Sequence, residues 1–396
     1  MTNSAFPLTT GVPPANLVDR VRGVVQQALD ERRLVGAVVL VAHNGELIHQ
    51  QAAGLADRES ARPMTLETVF RLASVSKPIV STAAMVLVAQ ARLDLDAGIE
   101  RWLPEFQPRL ADGAPASITL RQLLCHMAGL SYRFSEPDNQ GPCARAGVSD
   151  GLDASGISLD ENLRRLASVP LLFRPGTDWR YSLATDVLGA LIARVQGTTL
   201  DVAVRDLVTG PLGMTDSGFV MHDTQSVATP YVNDTPQPHR LAEGETVPFD
   251  DETLGVHFSP GRIFDPSAFP SGGAGMAGTA GDVMRLLETL RQQGGELLPA
   301  DLVAEMGRDQ TGGINLPDNP GFGFGLGFAV LRDPQQAASP QSAGTWRWGG
   351  VYGHSWFVDK EQGLSVVALT NTLYEGMSGS FVTELRDAVY AGLEPG

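Results

Sequence analysis

Lysine is nearly absent from this 396-residue chain: of 29 basic residues only Lys77 and Lys360 are lysines. Basic charge is short altogether. Against 45 acidic residues the net charge is −16, which argues against nucleic acid and anionic membrane surfaces as partners. Cysteine is scarce too. Cys125 and Cys143 cannot form a disulfide scaffold and sit in no metal-type cluster, so two free thiols in a reducing cytoplasm are expected. No apolar run approaches the ~18 residues of a membrane-spanning helix. The opening stretch MTNSAFPLTTGVPPANL has neither the basic nor the apolar region of a secretory signal. Charged residues make up 19% and hydrophobic ones 43%. Disorder would need denser charge and less apolar content, so a compact globular protein is implied. The length suits two domains. The scarcity of lysine also raises a question of chemistry: what needs an amine, whose proton can be lost, where arginine will not serve?

The apolar pattern predicts a helix over 15–33, after Pro13 and Pro14 and with Val18, Val21 and Val25 on one face. Residues 35–43 read as a buried strand, Asn44-Gly45 as a hairpin turn, and 46–54 as the returning strand. A helix begins near Ser74, with Pro78 tolerated in its first turn and Ile79, Ala83, Val86 and Leu87 as its buried stripe. Further helices are expected at 158–168, opened by Ser158 and Glu161, and at 182–196, stopped by Gly197. Residues 131–156 and 222–270 read as long loops of the kind that shape a site. After a helix at 283–293, β-type runs follow at 322–331, 344–350, 354–360 and 364–371, then a closing helix at 378–392. The expected architecture is α/β plus all-α. Residues 1–110 and 283–396 form an α/β domain with a central antiparallel sheet flanked by helices, and 111–282 are an inserted, mostly helical domain. The cleft between them is the natural place for a site.

Three short motifs carry chemistry. In Ser74-Val75-Ser76-Lys77 the two end residues share a helical face, which brings the Lys77 amine to the Ser74 hydroxyl. A serine needs a base to become a nucleophile, and an amine can be one. The helix N-terminus adds amides suited to an oxyanion. Tyr181, in Tyr181-Ser182-Leu183, stands at a helix start after Pro175 and Gly176, where a phenol can shuttle protons. In Trp346-Arg347-Trp348-Gly349-Gly350-Val351 the paired glycines let a substrate lie against a strand, and the Val351 amide can join that of Ser74. Each alone has a bland explanation: a helix cap, a packed aromatic, a tight turn.

In that order the three motifs resemble the serine β-lactamase and penicillin-binding-protein superfamily. Leu123-Leu124-Cys125-His126-Met127-Ala128-Gly129-Leu130, Pro211-Leu212-Gly213-Met214 and Gly272-Gly273-Ala274-Gly275-Met276 are similar to further landmarks, so the resemblance spans about 15 to 392. RLASVSKPIV, WRYSLATDVLGA and WGGVYGHSWFVD look most like the family VIII bacterial carboxylesterases of the esterase B type. The resemblance implies the class C β-lactamase fold. It further implies Ser74 as nucleophile, Lys77 as its base, Tyr181 as second proton carrier and the Ser74 and Val351 amides as oxyanion hole, without metal or organic cofactor. Two departures from the lactamase pattern bear on the substrate. Leu183 stands where a class C β-lactamase has the asparagine that holds the lactam amide, and Trp348 where it has the lysine that helps bind the carboxylate. Apolar surface there suits a neutral, short-chain ester. Amide or lactam hydrolysis and a non-catalytic binding module of the same fold are the alternatives.

Around this core, Tyr132, Phe134, Trp179 and Trp348 are candidates to line the substrate pocket, together with Gly349, Gly350 and Leu183. His126 reads as a structural histidine and His354 as a neighbour of the glycine turn, while Asp186 stands behind Tyr181 on its helix. Two motif matches lack their context. Gly147-Val148-Ser149-Asp150-Gly151 has the spacing of a lipase nucleophile elbow without the preceding strand and following helix. Gly273-Ala274-Gly275-Met276-Ala277-Gly278 has the dinucleotide spacing without a strand before it, so backbone packing near the cleft is the expected reason for its glycines.

Overall fold

The computed structural model describes residues 9–250, 252–317 and 319–393; the ends of the expected terminal segments, 1–8 and 394–396, lie outside them. In chain order the main elements are α1 (Ala15–Asp30), β1 (Gly36–His43), β2 (Glu46–Asp57), α2 (Ser76–Ala89), α3 (Leu159–Ser168), α4 (Ala184–Gln196) and α5 (Ala280–Arg291). They continue with β3 (Phe322–Phe324), β4 (Ala329–Leu331), β5 (Trp346–Gly350), β6 (His354–Asp359), β7 (Leu364–Thr370) and α6 (Ser380–Leu393).

The sheet runs β2-β1-β7-β6-β5-β4-β3, so its two halves come from opposite ends of the chain and meet where β1 pairs with β7. All these neighbours are antiparallel. The expectation of a purely antiparallel sheet needs one correction: the short Thr9–Thr10 strand adds to the edge of β2 in parallel, so the sheet is mixed. At the β1–β2 turn, Asn44 and Gly45 both have positive φ (55° and 92°), the twist that a two-residue hairpin requires.

Both faces of the sheet are covered, which explains why β1 is an unbroken apolar run rather than an alternating one. Val39 and Val41 meet Leu17, Val21 and Val25 of α1 and Phe381, Leu385 and Val389 of α6. Val38, Leu40 and Ala42 face the larger core, with Ile79 of α2 and Met284 and Leu287 of α5. Each of these side chains larger than alanine contributes roughly 1.5–3 kcal/mol by leaving water.

Four sequence expectations change. Helix α2 is buried all round from Ser76 to Leu87, so the stripe of Ile79, Ala83, Val86 and Leu87 is only part of its packed surface. Residues 322–331 are a hairpin of two short strands, reversed at Gly325–Phe328. Gly327 has φ 110° there, and a Cβ on it would stand 2.5 Å from Ser81 Oγ. Residues 222–270 contain two small hairpins, Tyr231–Val232 with His239–Arg240 and Glu245–Val247 with Val256–Phe258. Residues 131–156 contain a helix at Pro142–Ala146. Among the described residues, no strand between 111 and 282 enters the large sheet.

Candidate active site

Ser74 sits at the junction of strand and helix. Phe70–Arg71 pair with Ala277–Gly278, the Leu72 amide donates to the Met276 carbonyl at 2.9 Å, and Ala73–Val75 form a 3-10 turn leading into α2. Ala73 takes φ 46°, a left-handed conformation unusual for a residue with a side chain, and it throws the next residue, Ser74, out of the strand path. Lys77, one turn later, has no exposed surface. Its Nζ donates to Ser74 Oγ at 3.1 Å and to the Gly273 carbonyl at 2.8 Å.

Tyr181 arrives from the opposite side. Its segment is pinned by the Arg180 amide donating to the His126 carbonyl (3.0 Å) and the Leu183 amide to the Ser131 carbonyl (3.4 Å), before α4 begins at Ala184. Tyr181 Oη donates to Ser74 Oγ at 2.5 Å, and its ring lies 4.6 Å from Lys77 Nζ. Three side chains far apart in sequence thus meet at one hydroxyl oxygen. The arrangement can remove the Ser74 proton and return a proton to a group leaving from the same carbon.

The third motif reaches this turn through Gly350. A Cβ on Gly350 would lie 2.5 Å from the Leu72 carbonyl oxygen, so only glycine lets the end of β5 approach so closely. His354, opposite Gly350 in β6, donates from Nε2 to the Arg71 carbonyl at 2.8 Å. Burial lowers its pKa to about 4, so it is a neutral tie between β6 and the strand before Ser74. His126 is also buried and held well below the usual imidazole range, first by burial and then by Lys77. Its Nδ1 lies 3.2 Å from Ser182 Oγ and its ring 4.9 Å from that of Tyr181.

Aromatic rings surround the three polar groups. Tyr132 packs 5.1 Å from Tyr181 and stacks on Phe134 at 4.4 Å; Trp348 lies 5.2 Å from Tyr181, edge-on to Phe324. Trp179 packs against Phe324 and His126. Trp348 is half-buried, whereas Leu183, at the cap of α4, has no exposed surface. Ser149 is apart from this group. It follows a short helix rather than a strand, its amide donates to Asn162 and its hydroxyl to Asp153. The glycines at 272–275 do pack as backbone: a Cβ on Gly273 would stand 2.7 Å from Asp186 Oδ2 and 3.4 Å from Lys77 Nζ.

Residues 21–391 match the Beta-lactamase family. The chain belongs to the beta-lactamase family. Within it, the chain is 53% identical over 389 residues to Esterase EstB of Burkholderia gladioli, covering 98% of this chain and 99% of the relative. The structure of EstCE1, described as a hydrolase with promiscuous acyltransferase activity, superposes with a TM-score of 0.93 at 48% identity, covering 95% of this chain and 98% of that one. Simvastatin synthase from Aspergillus terreus, at 22% identity and TM-score 0.73 over 96% of this chain and 100% of that one, shares the beta-lactamase fold.

One contact of the site was not legible in the sequence. The Gly273 carbonyl is a ligand of Lys77, and a main-chain acceptor leaves no mark on residue type. Asp186, expected behind Tyr181, is buried, with the Ser271 hydroxyl and the Gly273 amide close by but no well-formed hydrogen bond to either carboxylate oxygen among the described residues. Burial pushes its pKa up to about 6, and Ser271 and the Lys77 charge offset this only in part. A carboxyl raised on folding favours the folded state while protonated. That stability is fully present below the unfolded value, near pH 4, and is lost as pH rises through about 6. The loss is about 3 kcal/mol at most. Asp150 and Asp282 are raised in the same direction by burial, so the contrast between wild type and Asp186→Asn isolates the one group. In urea titrations, Asp186→Asn should gain on wild type between pH 4 and pH 7. A constant difference across that range would mean that Asp186 does not change its charge there.

Proposed function

We propose that this chain is a cytoplasmic family VIII serine carboxylesterase that hydrolyses short-chain esters through an acyl-enzyme on Ser74. The observation that carries the reading is the meeting of Lys77 Nζ and Tyr181 Oη at Ser74 Oγ. Lys77 Nζ takes the Ser74 proton while Oγ bonds to the ester carbonyl carbon. The amides of Ser74 and Val351 receive the oxyanion. The intermediate collapses as the alcohol leaves with the Tyr181 proton, and Tyr181 recovers a proton from the Lys77 ammonium. Water then attacks the acyl carbon, giving its proton through Tyr181 to Lys77. The carboxylic acid departs as Ser74 Oγ takes that proton back.

The alcohol and acyl groups of the ester meet Trp348, Tyr132 and Phe134, with Gly349 and Gly350 as the strand edge beside them. Trp348 offers no polar anchor for an anionic lactam, and Leu183, wholly buried, presents no surface to one. We also take 1–110 with 283–396 as the α/β unit and 111–282 as the insertion, since no strand of the latter joins the sheet. The cytoplasmic assignment is supported by Cys125 and Cys143, both free thiols and both buried.

The test is a side-by-side assay with p-nitrophenyl butyrate and nitrocefin. Fast ester cleavage with little ring opening is expected. Ring opening as fast as ester cleavage would replace the esterase with an amide or lactam hydrolase.

A further inference from the structure

A cavity of about 700 Å³ opens beside the two small hairpins of residues 231–258, and its walls include none of Ser74, Lys77, Tyr181 or Trp348. Its volume lies within the ~300–1,000 Å³ typical of small-molecule sites. Three arginines line it: Arg62, Arg71 and Arg240. Arg71 is fixed by two main-chain acceptors, Nε donating to the Pro260 carbonyl at 2.8 Å and Nη1 to that of Ala228 at 2.7 Å, with Phe264 under its guanidinium at 5.5 Å. Arg62 Nη2 donates to the Val227 carbonyl at 2.8 Å. Arg240 is exposed and makes no side-chain hydrogen bond among the described residues.

No carboxylate pairs with any of the three among the described residues. Two carboxylates also reach the cavity wall, held by neutral donors at a distance from the guanidiniums. Asp57 accepts from the Ser60 amide at 2.9 Å and from Thr229 Oγ1 at 2.8 Å. Glu243 accepts from the Gly261 amide at 3.0 Å and from the Ser259 hydroxyl. One positive charge is left over. Burial lowers the pKa of Arg71, with Tyr352 and Glu243 opposing the shift and Arg240 adding to it, so a bound anion would stabilise a guanidinium that burial disfavours.

We propose that this cavity binds a small organic anion, a carboxylate or phosphate monoester with an apolar body, at a site separate from Ser74. Arginine suits both anionic groups because its fork of N–H donors matches their paired oxygens. Phe264, Leu241 and Pro260 supply apolar wall for the rest of the molecule. The site adjoins the catalytic turn through the main chain: Arg71 lies on the strand that leads to Ser74, and its carbonyl accepts from His354.

The test is calorimetric titration of the whole protein with phenyl phosphate and with benzoate, using benzyl alcohol as the neutral control. Saturable binding of an anion is expected, with benzyl alcohol failing to saturate. Arg240→Glu should weaken the anion at least about tenfold, the loss of one charge-assisted hydrogen bond, while p-nitrophenyl butyrate hydrolysis stays near wild type. Arg240 is exposed and its side chain makes no hydrogen bond or ion pair among the described residues, so this variant should keep the wild-type melting curve. Arg71→Gln, checked by its melting curve, should weaken binding as much. Absence of saturable binding by either anion would overturn the proposal, as would equal affinity in wild type and Arg240→Glu, or benzyl alcohol binding as tightly as the anions.

Discussion

Ser74→Ala should lower kcat for p-nitrophenyl butyrate by about 10⁴–10⁶-fold, the scale seen when a nucleophile is removed from an intact constellation. Lys77 and Tyr181 would remain in place, but the oxygen on which both converge would be gone. Ser149→Ala is the control that gives this number meaning. Ser149 satisfies the rival nucleophile spacing, yet its hydroxyl is occupied by Asp153 and the Gly151 amide. Its removal should cost about 1 kcal/mol of stability and leave turnover within about twofold, as befits a group outside the reacting atoms. Steady-state kinetics on both variants decide between the two serines. Near-normal turnover in Ser74→Ala, or collapse only in Ser149→Ala, would exchange their roles.

Lys77→Arg should fall about 10²–10⁴-fold in kcat/KM, the usual worth of a positioned general base. The substitution keeps positive charge and removes basicity, since a guanidinium stays protonated in proteins. It therefore separates two readings of the same geometry. If Lys77 takes the Ser74 proton, arginine fails; if it supplies only a charge beside the oxyanion, arginine succeeds. Lys77 is wholly enclosed and also bound to the Gly273 carbonyl, so the larger head group needs a companion. Lys77→Met, close in length and uncharged, should be equally inactive. High activity in the arginine variant would reassign Lys77 as an electrostatic group.

Much of this site was readable because its parts are local. The Ser74–Lys77 pair needs only one helical turn, and Tyr181 is marked by the helix that follows it. The β1–β2 hairpin was readable from Asn44-Gly45, and the end of α4 from Gly197. What escaped depends on distant chain. Helix α2 shows a stripe in sequence, but sheet and helices enclose it on every side. The strands within 222–270 are two or three residues long, too short for alternation to show. Asp186 lies near Lys77 only because the 271–275 backbone folds between α2 and α4. Arg62, Arg71 and Arg240 share a cavity through loops that no local pattern connects.

The pairing of β1 with β7 sets Val38 opposite Leu369, and this has a consequence for how the protein is made. On the ribosome, Ser74 and Lys77 emerge long before Trp348, Gly350 and the strand that closes the sheet. Contacts so far apart in sequence form late and slowly. The nascent chain thus carries Ser74 and Lys77 without the strand that ends at Gly350, and the candidate site assembles only after Leu364–Thr370 has emerged. A product stalled before Leu364 would leave β1 with a long apolar edge open to other chains, so incomplete copies should aggregate instead of acting as weak esterases.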